Sequence, residues 1–186
     1  MRIISGDLKG RTIKFLKNSN TRPLKDSVKE NIFNILKHSK LINVEIKNAH
    51  ILDLYSGIGS FGIECISRGA QKTIFVEQDR KASNILKENL SKLLINDQAL
   101  VLNSKVKNIF KNIVKKKFDI FFLDPPFADQ DFIKNLDLIK KNKIYKSKHI
   151  VIIHRERGAD DRLENYVNEI LIKKYGRSKI IFGVFI

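Results

Sequence analysis

The stretch His50-Ile51-Leu52-Asp53-Leu54-Tyr55-Ser56-Gly57-Ile58-Gly59-Ser60-Phe61-Gly62 reads as an apolar strand, a glycine-rich turn and the start of a helix. Gly57, Gly59 and Gly62 satisfy G-x-G-x-x-G, a spacing that lets backbone approach a ligand closely at a helix N-terminus. An acid follows at Glu77, 20 positions after Gly57, where a ribose partner would stand. Taken literally, the pattern fits a dinucleotide fold too. Asp53 separates the readings: a carboxylate at the strand end, four residues before Gly57, repels a pyrophosphate and suits a cofactor bearing a cationic amino acid. Two plainer roles stay open, Asp53 as a cap on the loop amides and Glu77 as an exposed strand-end acid.

Outward from this turn the chain alternates. Strands are expected at 50–55, 72–77, 99–103, 118–123 and 149–154, with helices at 60–68, 80–94, 105–115 and 130–141. That alternation predicts an α/β fold with a doubly wound, mostly parallel sheet. A helix at 160–166 and an antiparallel pair, Glu169–Lys174 with Lys179–Ile186, close the chain. Before the core, residues 1–17 read as a basic β-hairpin and 18–47 as a helical lead-in. In that lead-in Ser27-x-x-Glu30 is a candidate capping box, and Val28, Ile32, Ile35 and Leu36 form an apolar stripe. With residues 48–186 as the core, the chain is expected to be one domain.

A second motif follows the fourth strand, where Phe118-Asp119-Ile120-Phe121-Phe122-Leu123 runs into Asp124-Pro125-Pro126-Phe127. The two prolines fix φ and supply carbonyls without N–H groups, the Asp124 carboxylate is another acceptor, and Phe127 offers an aromatic face. Such a turn can hold a planar amine with two N–H donors and a π-surface, as on a nucleobase. Standing alone, it would read as an ordinary Asp-Pro strand ending. In an open α/β sheet ligands bind beyond the carboxyl ends of the strands, which places Asp53, Glu77, the Asn103-Ser104 turn and Asp124 along one edge.

The chain has 186 residues and a formal net charge of +16, which points to a polyanionic partner. Residues 1–47 hold 11 Lys or Arg against 4 Asp or Glu, so the amino-terminal quarter is the part expected to face that polyanion, through Arg2, Lys9, Arg11, Arg22 and Lys25. Lysine runs at 115–117, 140–143 and 173–174 read as solvated helix and turn ends. The length leaves no room for a dinucleotide domain plus a substrate domain, which counts against an oxidoreductase. The single cysteine, Cys65, excludes a disulfide framework, fits a reducing cytoplasm and reads as a buried structural thiol. No signal-peptide pattern or membrane-length apolar run occurs, so a soluble cytoplasmic protein is expected. The four histidines, His38, His50, His149 and His154, show no metal-ligand spacing, and no metal is expected.

Asp53-x-Tyr55-x-Gly57-x-Gly59, Glu77 and Asp124-Pro-Pro-Phe127, in this order, resemble the class I S-adenosylmethionine-dependent amino-methyltransferases. Met1-Arg2-Ile3-Ile4-Ser5-Gly6, Lys9-Gly10-Arg11, Thr21-Arg22-Pro23 and Asp26, Val28, Glu30, Phe33-Asn34-Ile35-Leu36 are similar to the RsmD family of ribosomal RNA guanine-N2 methyltransferases, nearly end to end. Leu24, Ser27 and Lys29 depart from it, standing where the family more usually has Thr, Arg and Arg.

The resemblance implies a Rossmann-like, seven-stranded sheet with an antiparallel carboxyl-terminal pair. It also implies methyl transfer from S-adenosylmethionine, leaving S-adenosylhomocysteine, to a guanine of small-subunit (16S) ribosomal RNA, free or in the subunit. Gly57 and Gly59, with Asp53 and Tyr55 beside them, would then pass under the methionine portion. Glu77 would take the ribose hydroxyls, Gln78 and Ser104 would border the adenine, and Asp124, Pro125, Pro126 and Phe127 would hold the amine. A DNA adenine or cytosine amino-methyltransferase is the nearest rival, but the chain lacks room for a target-recognition domain. A protein glutamine methyltransferase usually has Asn first in this turn, and a non-catalytic RNA-binding factor would not need the three acids.

Overall fold

A computed structural model gives the conformation of residues 1–15, 24–113 and 115–186. Arg22, with the rest of Thr21-Arg22-Pro23, lies outside the described residues. The strands are β1 (His50–Leu54), β2 (Lys72–Glu77), β3 (Ala99–Asn103), β4 (Phe118–Leu123), β5 (Tyr145–Glu156), β6 (Val167–Tyr175) and β7 (Ser178–Phe185). They form one seven-stranded sheet in the order β3-β2-β1-β4-β5-β7-β6. β1 to β5 are parallel, and β7 lies antiparallel between β5 and β6. The strand order reverses between β1 and β4, so the crevice of the sheet opens beyond Leu54 and Leu123.

Near-continuous apolar runs are what a parallel sheet covered on both faces demands. On one face Leu52, Leu54, Phe121, Leu123, Val151 and Ile153 pack against α5 (Phe132–Asn142) and the one-turn α4 (Phe110–Ile113). On the other, Ile51, Ile120, Phe122 and Ile152 meet α1 (Asp26–His38) and α2 (Ser60–Ser67). There Phe33, Phe61 and Phe122 stack with centroid separations of 5.2 and 4.1 Å. Helix α3 (Arg80–Leu93) joins Ile63, Ile66 and Phe75 in a third cluster with Ile3 and Ile13.

Four local expectations are corrected. The helix expected at 105–115 is a 3-10 turn at Val106–Asn108 followed by α4: Val106, Ile109, Phe110 and Ile113 are buried, but a segment this short has little room beyond the costly first turn for helix to propagate. Residues 160–163 have no regular structure and 164–166 form a turn, because Asp161 is drawn to Arg155 and Leu163 alone is buried there. Helix α1 begins at Asp26 with Lys25 as its cap and no side-chain cap bond, so Ser27 lies inside the first turn and the capping box does not form. Phe33 and Lys29, rather than Ile35, complete its buried face.

The fourth concerns the amino-terminal hairpin, which forms but is shorter than expected: around one bridge, Arg2 with Thr12, the N–H groups of Ile3, Gly10 and Ile13 donate across it to the carbonyls of Arg11, Ile3 and Met1. Four other amides of this segment turn to α2: Glu64 accepts from the N–H groups of Ile4 at 2.8 Å and Ser5 at 2.9 Å, and Ser67 accepts from those of Asp7 and Leu8. Glu64 is wholly buried, balanced by Arg68 at 2.9 Å and Lys29 at 3.8 Å. No helix among the described residues is long and apolar enough to cross a membrane.

Candidate active site

β1 is followed by a left-handed residue, Tyr55 (φ 60°), and the turn continues through Gly57 (φ 53°) and Gly59 (φ 86°), the residue before α2. A Cβ on Gly59 would lie 2.3 Å from Leu86 Cδ1, and one on Gly62 2.3 Å from the Phe75 ring. Glycine there lets α2 seat against β2 and α3. Asp53 is 1% exposed; its Oδ2 accepts from Gly62 N–H at 3.0 Å, while its buried Oδ1 has no partner among the described residues. Burial, with the negative charges of Asp124 and Glu77 added, holds Asp53 well above the usual carboxylate range against the opposing Gly62 bond. Cys65 is buried, and burial pushes its thiol up as well.

Glu77 stands one strand over. Its carboxylate accepts from Gly57 N–H at 2.8 Å and Asp79 N–H at 2.7 Å, clamping the glycine turn to the end of β2. Burial raises its pKa, opposed by those two N–H groups. β3 supports the same point, since Ser104 N–H donates to the Glu77 carbonyl at 3.0 Å and Asn103 Nδ2 donates to it at 2.9 Å. Gln78 is exposed beside them. The Tyr55 hydroxyl instead accepts from Asn135 Nδ2 of α5 at 2.6 Å, and burial followed by Asp129 raises its pKa.

Beyond β4, Asp124 N–H reaches the Leu54 carbonyl at 3.3 Å, joining the acidic turn to the end of β1. Leu123 pairs with Ile153, and the next residues meet: His154 Nδ1 lies 2.8 Å from Asp124 Oδ1. An ionised carboxylate only accepts, so Nδ1 carries the proton. The His154 ring also meets Phe127 edge-on, with centroids 5.7 Å apart. Beneath the turn Arg155, 2% exposed, donates to the carbonyls of Pro126 at 3.1 Å and Phe127 at 3.2 Å. It is held by a bidentate pair with Asp161, both bonds 2.9 Å, and by the Phe132 ring 4.4 Å away. Among the described residues no protein donor occupies the Pro125 carbonyl.

The expected residues thus gather at one edge: the Gly57–Gly59 turn, Glu77, Gln78, Ser104 and Asp124–Phe127, with Asp53 acting on the loop through Gly62 and Tyr55 turned toward α5. The basic residues are not brought together. Lys29 Nζ reaches both the Arg2 carbonyl and Ser60 Oγ at 3.2 Å, which sets Arg2 and the start of α1, with Lys25, at the glycine-turn end of α2. Lys9 lies in the tip that rests on Ser67, about 12 Å away along eight helical residues, and Arg11 stands between. His154 and Arg155 are site residues that sequence reading passed over. Their only signal is position, because they lie among the last residues of the strand next to β4.

The family described as conserved hypothetical protein 95 matches residues 1–184. "Putative rRNA methyltransferase YlbH" of Bacillus subtilis is 35% identical over 86% of this chain and 85% of its own length. Ribosomal RNA small subunit methyltransferase D of Buchnera aphidicola (subspecies Baizongia pistaciae) is 31% identical over 100% of this chain and 91% of its own. The crystal structure of a "putative methylase" from Haemophilus influenzae, 29% identical, superposes with a TM-score of 0.79 over 98% of this chain and 96% of that one. The acid-and-glycine turn, the second-strand acid and the Asp-Pro-Pro-Phe edge therefore sit in a class I methyltransferase fold, and the chain belongs to the RsmD family.

Proposed function

We propose that the protein transfers the methyl group of S-adenosylmethionine to the exocyclic N2 of a guanine in small-subunit ribosomal RNA, in the cytoplasm. The relatives' names support the substrate class. The observation that carries the chemistry is Asp124 fixed by His154 beside an unoccupied Pro125 carbonyl, at the edge that holds the glycine turn. The residues present fit the cofactor. Asp53, Glu77 and Asp124 concentrate negative charge with a buried, partnerless Asp53 oxygen, an environment that a cationic amino acid and a sulfonium relieve. Glu77 would hold the ribose, Gln78 and Ser104 the adenine, and the Gly57–Gly59 turn the methionine portion.

When bound, the cofactor supplies an electrophilic methyl on a sulfonium whose leaving group is neutral. The protein's task is to make the amine nucleophilic. Asp124 and the Pro125 carbonyl accept the two N–H bonds, favouring a pyramidal nitrogen aimed at the methyl, and positioning of this kind supplies roughly 7–11 kcal/mol. The amine proton displaced when the N–C bond replaces the C–S bond would pass to Asp124, during or after the transfer. Phe127 stacks on the flipped base, and Arg155 holds the turn by its Pro126 and Phe127 carbonyls. Arg2, Lys9, Arg11, Arg22 and Lys25 contact phosphates. The test is labelled methyl transfer to small-subunit RNA and particles from a strain deleted for the gene, followed by mapping of the modified nucleotide. Labelling of an adenine or cytosine instead would overturn the base assignment.

A further inference from the structure

We infer that the β6–β7 turn and the end of β5 form a basic rim that grips the phosphates flanking the target nucleotide, an inference resting on the RNA reading above. Because β7 returns antiparallel to β5, Glu156 pairs with Ser178 and His154 with Ile180, and Ile180 in turn pairs with Lys173. The turn Tyr175-Gly176-Arg177-Ser178 therefore stands at the same end of the sheet as Asp124. The row of Lys173 lies two strand spacings, about 10 Å, from that of His154. This is the flank of the turn away from the glycine loop.

Arg157, Lys173, Lys174 and Arg177 are all exposed there. Among the described residues no carboxylate lies within ion-pair distance of any of them. The scaffold under them is fixed: Arg157 N–H donates to the Arg177 carbonyl at 2.9 Å, the Arg157 guanidinium leans on the Gly176 carbonyl at 3.5 Å, and Lys179 Nζ is spent on the Ala159 carbonyl at 2.5 Å. Glu156 and Asp160 are the exposed acids nearby, while Asp161 is neutralised by Arg155, so the rim keeps a positive balance. Arginine forks match phosphate geometry. Ile172 is the one exposed large apolar side chain of β6 and β7, which favours a polyanion in water over a lipid surface.

The test is the salt dependence with which the full chain binds a transcript of small-subunit ribosomal RNA. Three double variants are compared: Arg157→Gln/Arg177→Gln, Lys173→Gln/Lys174→Gln, and the charge-matched Lys115→Gln/Lys116→Gln, whose exposed lysines precede β4 at the opposite end of the sheet. Each rim pair is expected to reduce the slope of log K against log salt by about 1.4–1.8, and the control pair to leave it unchanged. S-adenosylmethionine affinity stays constant in all three. An unchanged slope in both rim variants, or an equal drop in the control, would overturn the rim while leaving the substrate reading standing. Wild-type protein that binds vesicles of anionic phospholipid but no RNA would overturn the substrate reading and reassign the rim to a membrane.

Discussion

His154 donates from Nδ1 to Asp124 Oδ1 at 2.8 Å, across adjacent parallel strands whose last paired residues are Leu123 and Ile153. The bond fixes one carboxylate oxygen and, on the function proposed above, leaves the other for the amine. Phe127, edge-on to the same imidazole, is set by the same contact.

Asp124→Ala is expected to abolish most turnover while S-adenosylmethionine affinity, measured by calorimetry, stays nearly unchanged. Its proposed role is to hold the amine, and its backbone bond to Leu54 survives the substitution. Phe127→Ala should be milder: a stacking contact of about 1–3 kcal/mol corresponds to a roughly 5- to 150-fold loss in kcat/KM at subsaturating RNA. Full guanine methylation by folded Asp124→Ala protein would remove the turn from the chemistry.

The His154 substitutions separate positioning from packing. His154→Leu keeps bulk but frees the Asp124 carboxylate, and a displacement of about 1 Å at a reacting centre can cost on the order of 100-fold, so kcat should fall by up to that factor. His154→Asn retains a donor near the Nδ1 position and should recover much of the rate. Equal kcat in wild type and the leucine variant would reduce His154 to a wall of the site.

The contiguous parts of the site were legible because each is local: the glycine turn and the Asp-Pro-Pro-Phe turn carry their chemistry within a few residues of a strand end. Strand alternation likewise placed the five parallel strands, whose apolar runs stand between turns, and the Tyr175-Gly176-Arg177-Ser178 turn marked the closing antiparallel pair. What was not legible depends on register. His154 and Arg155 lie among the last residues of β5, about 30 residues beyond Asp124, and look like any polar strand end until the Leu123–Ile153 pairing sets them beside the turn. Lys29 breaks the apolar stripe of α1, yet is 1% exposed because Glu64, Ser60 and the Arg2 carbonyl receive it. The expected helix at 160–166 yields to one tertiary contact, Asp161 with Arg155.

That contact predicts a stability effect. Asp161→Ala leaves the Arg155 guanidinium buried without its carboxylate, and breaking a buried pair from one side costs about 3–5 kcal/mol. Denaturant unfolding should show a loss of that order. A loss below about 1 kcal/mol would mean that the Pro126 and Phe127 carbonyls and the Phe132 ring suffice to hold Arg155.

Glu77→Ala should weaken S-adenosylmethionine by about 1.5–3 kcal/mol, the range for hydrogen bonds to a charged acceptor. The same change frees the N–H groups of Gly57 and Asp79, so the loop should also become more mobile. Calorimetry on protein with wild-type near-UV circular dichroism checks the first effect, and amide exchange at Gly57 the second. Unchanged affinity would move the ribose away from β2.

Asp53 sets a trade between stability and binding. Its pKa is raised in the folded protein, by burial first and then by Asp124 and Glu77, so the folded state holds this proton more tightly than the unfolded chain. Its contribution is therefore fully present below the unfolded carboxylate value, near 4, and is lost as pH rises through the raised folded value. Asp53→Asn keeps an oxygen for the Gly62 N–H and removes the charge. Without cofactor the variant should have a higher Tm than wild type at neutral pH, an advantage that shrinks on acidification toward pH 4. Saturating S-adenosylmethionine should then raise the Tm of wild type more than that of the variant, because the cationic ligand loses its buried counter-charge. Equal cofactor-induced shifts in the two proteins would make Asp53 a cap for the loop and nothing more.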